Sequence, residues 1–185
     1  MIKGRSDKNN LKDISGIGLN LYSFALQTVE FMNGLDPTDL NILNLIQADA
    51  QLTNKEISWK TNKSLSAIQV RLKKLQEIGI IKRVVTLLDR NKIGKELAVF
   101  TAIKVSNYGQ EALLEFQHHV VAFEEVMECY HMSGAKDFLL KVVVSDMAAY
   151  NSFIMEKLSL VPHIGNVESL FVISESKHET AYKLK

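Results

Sequence analysis

Residues 52–83, LTNKEISWKTNKSLSAIQVRLKKLQEIGIIKR, limit what this chain can fold into more than any other stretch. Thr53 stands three residues before Glu56, the spacing of a capping box, so a helix is expected to start there. It is a short one, because Lys60-Thr61-Asn62-Lys63 offers no apolar continuation and suits a turn. Ser64 then caps a longer helix, whose Ile68, Leu72 and Leu75 recur at i, i+4 and i+7 and form one buried stripe. At about 100° per residue, Ser66, Gln69, Val70, Lys73 and Lys74 point the other way. Gly79 suits the helix end, and the apolar run IIKRVVTLL over 80–88 is expected as a strand that carries Lys82 and Arg83. Taken alone, a basic amphipathic helix reads first as an ordinary surface helix. Short helix, turn, basic helix and basic strand in succession spell a winged helix-turn-helix, in which basic groups hold phosphates and small or amide groups read base edges.

The charge is distributed accordingly. The chain totals only +1, but residues 35–95 carry 11 basic and 6 acidic side chains, whereas residues 96–185 carry 7 and 12. A basic half joined to an acidic half is the asymmetry of a nucleic-acid domain attached to something else. The single cysteine, Cys129, excludes an internal disulfide framework and suits a reducing compartment. No apolar run nears the ~18 residues that span a bilayer, and 19–31 has no cleavage site after it, so a cytoplasmic protein without membrane contact is expected.

Upstream, residues 37–48 read as a further helix, with Asp36 as N-cap, Pro37 at the first position and Leu40, Leu43 and Ile46 on the buried face. Residues 19–31 read as an amphipathic helix that Gly34 ends, and residues 1–31 are expected to be dispensable for DNA binding. Downstream, strands are expected over 97–105, 123–132, 137–145 and 164–174, with helices over 110–119 and 146–160, the latter through Met147, Tyr150, Ile154 and Leu158. This βαββαβ order is the ferredoxin-like pattern, one antiparallel sheet with both helices on one face. The fold class is therefore α+β: an extension (1–34), a winged helix-turn-helix (35–83), a connecting strand and linker (84–96), and a βαββαβ domain (97–185). The strands at 97–105 and 137–145 are apolar on both faces, so the sheet face away from the helices is expected to be covered by a second copy.

Other constellations are weaker. His118-His119 are adjacent on a helix and diverge, and Cys129 and His131 lack further ligands, so no metal or other cofactor is expected. There is no P-loop, G-x-S-x-G or strand-led G-x-G-x-x-G, which argues against an enzyme. Glu124, Glu125 and Glu128 read as a solvated acidic patch, and Trp59 as core or interface packing rather than a base-stacking platform.

The chain also resembles the Lrp/AsnC family, the leucine-responsive or feast/famine transcriptional regulators, over residue 35 to about 183. The likeness is carried by LDPTDLNILNLIQADAQLTNKEIS, SLSAIQVRLKKLQEIGIIK, VMECYHMSGAKDFLLKVVVSDMAAYNSFI and VESLFVIS. It implies a DNA-binding regulator whose C-terminal, ACT-like domain forms dimers and higher even oligomers, up to an octamer, and binds an amino acid or a related small molecule. The candidate contacts with double-stranded DNA are Thr53, Ser64, Ser66, Gln69, Val70, Arg71, Lys73, Lys74, Lys82 and Arg83. The turn and last-strand positions that hold the effector in the family fall on Gly134, Ala135, Lys136, Asp137, Val167 and Ser169. Ala135 and Val167 lack polar partners that the family supplies, and Lys136 adds a cation, so a weak response to leucine and a better one to a more acidic ligand is expected. The alternatives are an architectural, DNA-compacting oligomer without effector and a regulated enzyme of amino-acid metabolism.

Overall fold

A computed structural model describes residues 34–185, which form two compact units. The expected helix over 19–31 and the rest of the N-terminal extension lie outside the described residues. The first unit holds three helices: α1 (Pro37–Ala48), α2 (Asn54–Thr61) and α3 (Leu65–Glu77). Each begins as its sequence dictates. Asp36 accepts the Asp39 N–H at 2.9 Å ahead of Pro37, Thr53 and Glu56 cap α2 reciprocally, and the Ser64 hydroxyl accepts the Ala67 N–H at 3.2 Å. Asn62 turns the chain between α2 and α3 in the left-handed region, φ 53°, a conformation asparagine tolerates. Ile42, Leu43, Ile57, Ile68 and Leu75 make the core, with Leu72 and Ile81 packed at its margin.

Residues 80–88, expected as a strand, are not one. A strand needs a neighbour to take its ladder bonds, and none of the four strands among the described residues pairs with this segment. Ile80 and Ile81 lean on the helical core, while Val84, Val85, Leu87 and Leu88 are exposed. The linker that follows contains a 3-10 turn, Arg90–Ile93, closed by Gly94 at φ 70°.

The second unit, Val85–His178, is built on β1 (Leu97–Val105), β2 (Val126–His131), β3 (Phe138–Val144) and β4 (Ile164–Phe171). The order β2-β3-β1-β4, antiparallel throughout, is the ferredoxin-like one. One face carries Val99, Ile103, Phe138, Leu140 and Val142 into the core, against Phe116 and Val120 of α4 (Gln110–Val120). The second helical segment starts as α5 (Met147–Ser152) behind the N-cap Asp146. It is not the continuous helix expected over 146–160: one π-turn, Phe153–Lys157, and one 3-10 turn, Leu158–Leu160, follow. The core explains the break. Tyr150, Phe153, Leu158 and Val161 are the buried positions, and the five-residue step from Phe153 to Leu158 stays on one face only if the helix takes in an extra residue. Met147, expected in the buried stripe, is exposed.

The last strand ends at Phe171, and Glu179–Lys185 group with the first unit instead of the second. The expected domain over 97–185 thus gives up its final residues, because Leu184 packs against the helical core of the first unit.

Candidate nucleic-acid interface and effector turn

On α3, Ile68 and Leu75 are buried and the opposite side is open. Ser66, Gln69, Val70, Lys73 and Lys74 are all exposed, Val70 by 69% although apolar. A large aliphatic side chain left in water on a polar face suits contact with an apolar partner such as a thymine methyl. Among the described residues, Lys73 makes an exposed i,i+4 pair with Glu77 at 3.7 Å. Such a pair contributes little, so the ammonium can leave it for a phosphate. Ser64 and Thr53 sit at the starts of α3 and α2, where unpaired backbone N–H groups favour anions. Thr53 is itself engaged: its N–H and hydroxyl both donate to the Glu56 carboxylate at 2.7 Å. Those bonds hold the Glu56 carboxyl below the usual glutamate range.

Arg71 departs from the expected set. Its guanidinium is 2.6 Å from the Asp36 carboxylate and 2.7 Å from that of Asp39, whose side chain is almost wholly buried. The bond from Arg71 to Asp39 raises the arginine further, and the Asp39 N–H, ahead of Arg71, lowers Asp36. This cation locks α3 to the start of α1 rather than facing solvent. Position decided this: Arg71 lies one residue from Leu72, at the edge of the buried stripe. Lys82 and Arg83 are exposed as expected, but on an irregular segment. Sequence reasoning passed over Lys55, Lys60 and Lys63, exposed on and after α2, because none lies on the recognition helix. Trp59, read as core or interface, is 82% exposed beside them.

In the second unit, the turn after β2 puts Gly134 at φ 137°, a conformation that favours glycine. Asp137 is committed to the fold: its Oδ2 accepts the Val105 N–H at 2.8 Å, its own N–H donates to Ile103 O, and its carbonyl accepts from Met132. Lys136 reaches β4, with Nζ 2.6 Å from Asn166 Oδ1 and 3.1 Å from Glu168 Oε2. The pleat then divides the expected effector residues. Val167 and Ser169 lie opposite Ile103 and Thr101 and face the helices, whereas Glu168 lies opposite Ala102 on the other face. Ser169 ends a hydroxyl chain, 2.7 Å from Tyr150 OH, which is 2.9 Å from the buried Thr101 Oγ1. So Lys136 reaches the open side with Glu168, next to the exposed turn residues Gly134 and Ala135, and Val167 and Ser169 do not join it. Lys104 shares that face by alternation and stands 5.6 Å from the Tyr108 ring centre, a second cation near the turn that motif reading missed.

Two of the three acidic residues are paired rather than simply solvated. Glu128 meets Lys141 at 3.0 Å, and Glu125 meets Lys157 at 2.5 Å. Among the described residues no group of three or more His, Cys, Asp or Glu could hold a metal ion, and no helix is long and apolar enough to cross a membrane.

Two family models match: a winged helix-turn-helix DNA-binding domain over residues 35–82 and the Lrp/AsnC ligand binding domain over 98–182. The chain is 38% identical over 143 residues to the transcriptional regulator AzlB of Bacillus subtilis, covering 77% of this chain and 91% of that one. It is 37% identical over 150 residues to a glutamate uptake regulatory protein of Zymomonas mobilis, covering 81% and 91%. Among solved structures, a transcriptional regulator from Neisseria meningitidis in complex with L-Met superposes with TM-score 0.76 at 31% identity, covering 80% of this chain and 96% of that one. An AsnC family regulator from Agrobacterium tumefaciens gives 0.76 at 35% identity, with the same coverage.

Proposed function

Because this chain belongs to the Lrp/AsnC family of transcriptional regulators, we propose that α3 reads the operator through Ser66, Gln69 and Val70 while Lys73, Lys74, Lys82 and Arg83 hold phosphates. The protein is a DNA-binding regulator with a small-molecule-binding domain, in a family whose members regulate transcription rather than catalyse reactions. The observation that carries the residue assignment is the open polar face of α3, with Val70 exposed at its centre. Gln69 pairs with an adenine edge and Val70 packs on a thymine methyl, near the end of the helix that enters the major groove. Binding of the full chain to an operator and to random duplex, titrated at fixed salt, tests this. Gln69→Ala is expected to cost about 1–3 kcal/mol on the operator and little on random DNA, whereas Lys74→Ala weakens both and lowers the salt slope by about 1. Equal losses from Gln69→Ala on both duplexes would sink the assignment, and equal wild-type affinity for both would favour the architectural reading.

The effector is an amino acid that meets the open sheet face at the turn 133–136, where Gly134 lets a ligand approach the main chain, Lys104 adds positive charge and Lys136 exchanges its pair with Glu168 for the ligand's carboxylate. This favours a ligand with an extra carboxylate over leucine. A thermal-shift screen of the common amino acids checks it. Strong stabilisation by leucine or lysine that persists in Lys136→Ala would overturn it. The same sheet face, with Phe100 and Leu139 on it, is the dimer surface, and a second copy supplies the second recognition helix that a two-half-site operator requires. Light scattering at micromolar concentration is expected to give a dimer or a larger even oligomer.

A further inference from the structure

The first unit holds a second set of polar contacts that DNA reading does not use. Asn44 and Gln47 lie one turn apart on α1, and both primary amides bond to the chain's own C-terminal segment, Gln47 Nε2 also donating to Leu43 O at 3.3 Å. Asn44 Nδ2 donates to Leu184 O at 3.1 Å, and Asn44 Oδ1 accepts the Leu184 N–H at 3.1 Å. Gln47 Nε2 donates to Tyr182 O at 3.2 Å, and Gln47 Oε1 accepts the Tyr182 N–H at 2.8 Å. Each amide thus takes both the donor and the acceptor of a single residue, as a neighbouring strand does in an antiparallel ladder. The residues taken are alternate ones, since in extended chain only every second residue turns its N–H and C=O to the same side.

The fit is specific in length. Alternate residues of extended chain lie about 6.6 Å apart, whereas helix side chains at i and i+3 leave their Cβ atoms about 5–6 Å apart. Gln47 has one methylene more than Asn44 and makes up the difference. Leu184 supplies the apolar anchor, packing against the helical core, while Tyr182 stays 79% exposed. Lys183 and Lys185 point outward.

We propose that α1 carries a peptide-backbone clamp, Asn44 and Gln47, whose occupant is this chain's own C-terminal segment, and that the clamp makes residues 179–185 a strap. The chain leaves the first unit after Val84 and returns to it at Glu179. With the clamp filled, the DNA-binding unit has two attachments to the rest of the chain; with it empty, one. A second attachment narrows the range of positions the unit samples. The inference stands apart from the reading of α3 as the DNA-contacting helix and needs no DNA to test.

Amide hydrogen exchange of the full-length protein, followed by NMR, reads the clamp residue by residue. Tyr182 and Leu184 are expected to exchange at least about tenfold more slowly than Lys183 and Lys185. Asn44→Ala should speed Leu184 most, and Gln47→Ala should speed Tyr182 most. Uniformly fast exchange over 181–185 in the wild type would overturn the clamp. Nitrogen-15 relaxation of the double variant Asn44→Ala/Gln47→Ala reads the strap: the first unit should reorient faster, with its chemical shifts otherwise kept. Unchanged reorientation after protection is lost would overturn the strap. Protection that vanishes on dilution, in step with dissociation of oligomers, would assign the occupant to a second copy and overturn the assignment to the chain's own tail.

Discussion

At the residue scale, two buried polar arrangements matter more to stability than to recognition. Arg71 neutralises Asp39, which is 3% exposed, so Arg71→Ala leaves a buried carboxylate without its strongest partner. Loss of about 1–3 kcal/mol is expected in denaturant unfolding, with operator affinity per folded molecule little changed. Lys74→Ala should do the opposite, sparing stability and weakening DNA binding. A variant of Arg71 that unfolds like wild type but loses DNA would return Arg71 to the phosphate contacts. The second arrangement is the hydroxyl chain Thr101–Tyr150–Ser169. Thr101 is fully buried on the helix side of the sheet, so Tyr150→Phe deprives it of a partner that water cannot replace. A cost of about 1–3 kcal/mol is expected, and a drop under a few tenths would show that Thr101 finds another bond.

At the element scale, the pairing of β1 with β4 shifts register between Ile103 and Val105, close to Gly165. A Cβ on Gly165 would come within 2.4 Å of Lys104 O, a backbone atom that cannot swing aside. Gly165→Ala must therefore push the two strands apart, and a loss of about 1–3 kcal/mol is expected. Ser106, whose N–H and hydroxyl both donate to His163 O next to this contact, is the place to watch for faster amide exchange. Unchanged exchange at Ser106 in Gly165→Ala would mean the bulge relaxes without cost. The same scale shows how far local rules reach. All three helix starts of the first unit follow from Asp36, Thr53 and Ser64, since a cap is a bond between residues three apart. The strand expected over 80–88 fails because apolar β-branched residues favour extended chain only where a ladder partner exists.

At the scale of the whole molecule, carboxylates set the response to acid. The Tyr130 hydroxyl, with Lys141, lowers Glu128, and the Ala149 N–H lowers Asp146. Burial pushes Glu125 up, but Lys157 and a backbone N–H together bring it below the usual range. Asp36 is lowered as well. Groups with depressed folded values stabilise above their unfolded values, about 4, and lose that contribution as pH falls through the folded ones. Stability should therefore be flat from neutral pH to about 5 and fall steadily below about 4. A chemical denaturation series from pH 7 to pH 3 checks this, and a midpoint that rises on acidification would contradict it.

Periodicity, caps and charge asymmetry determined the element order, the helical first unit, the βαββαβ second unit and the exposed face of α3, because each is a property of residues close in sequence. Tertiary structure decided what depends on distant partners. It turned Arg71 from solvent to Asp36 and Asp39, 35 and 32 positions away. It bound Asp137 to Val105 and set Val167 and Ser169 on the face opposite Glu168, a matter of strand register that no turn motif contains. It also returned Tyr182 and Leu184 to α1, across separations of 135 and 140 residues. Local sequence cannot encode such pairings, because the chain entropy of closing those loops is repaid only when the whole core assembles.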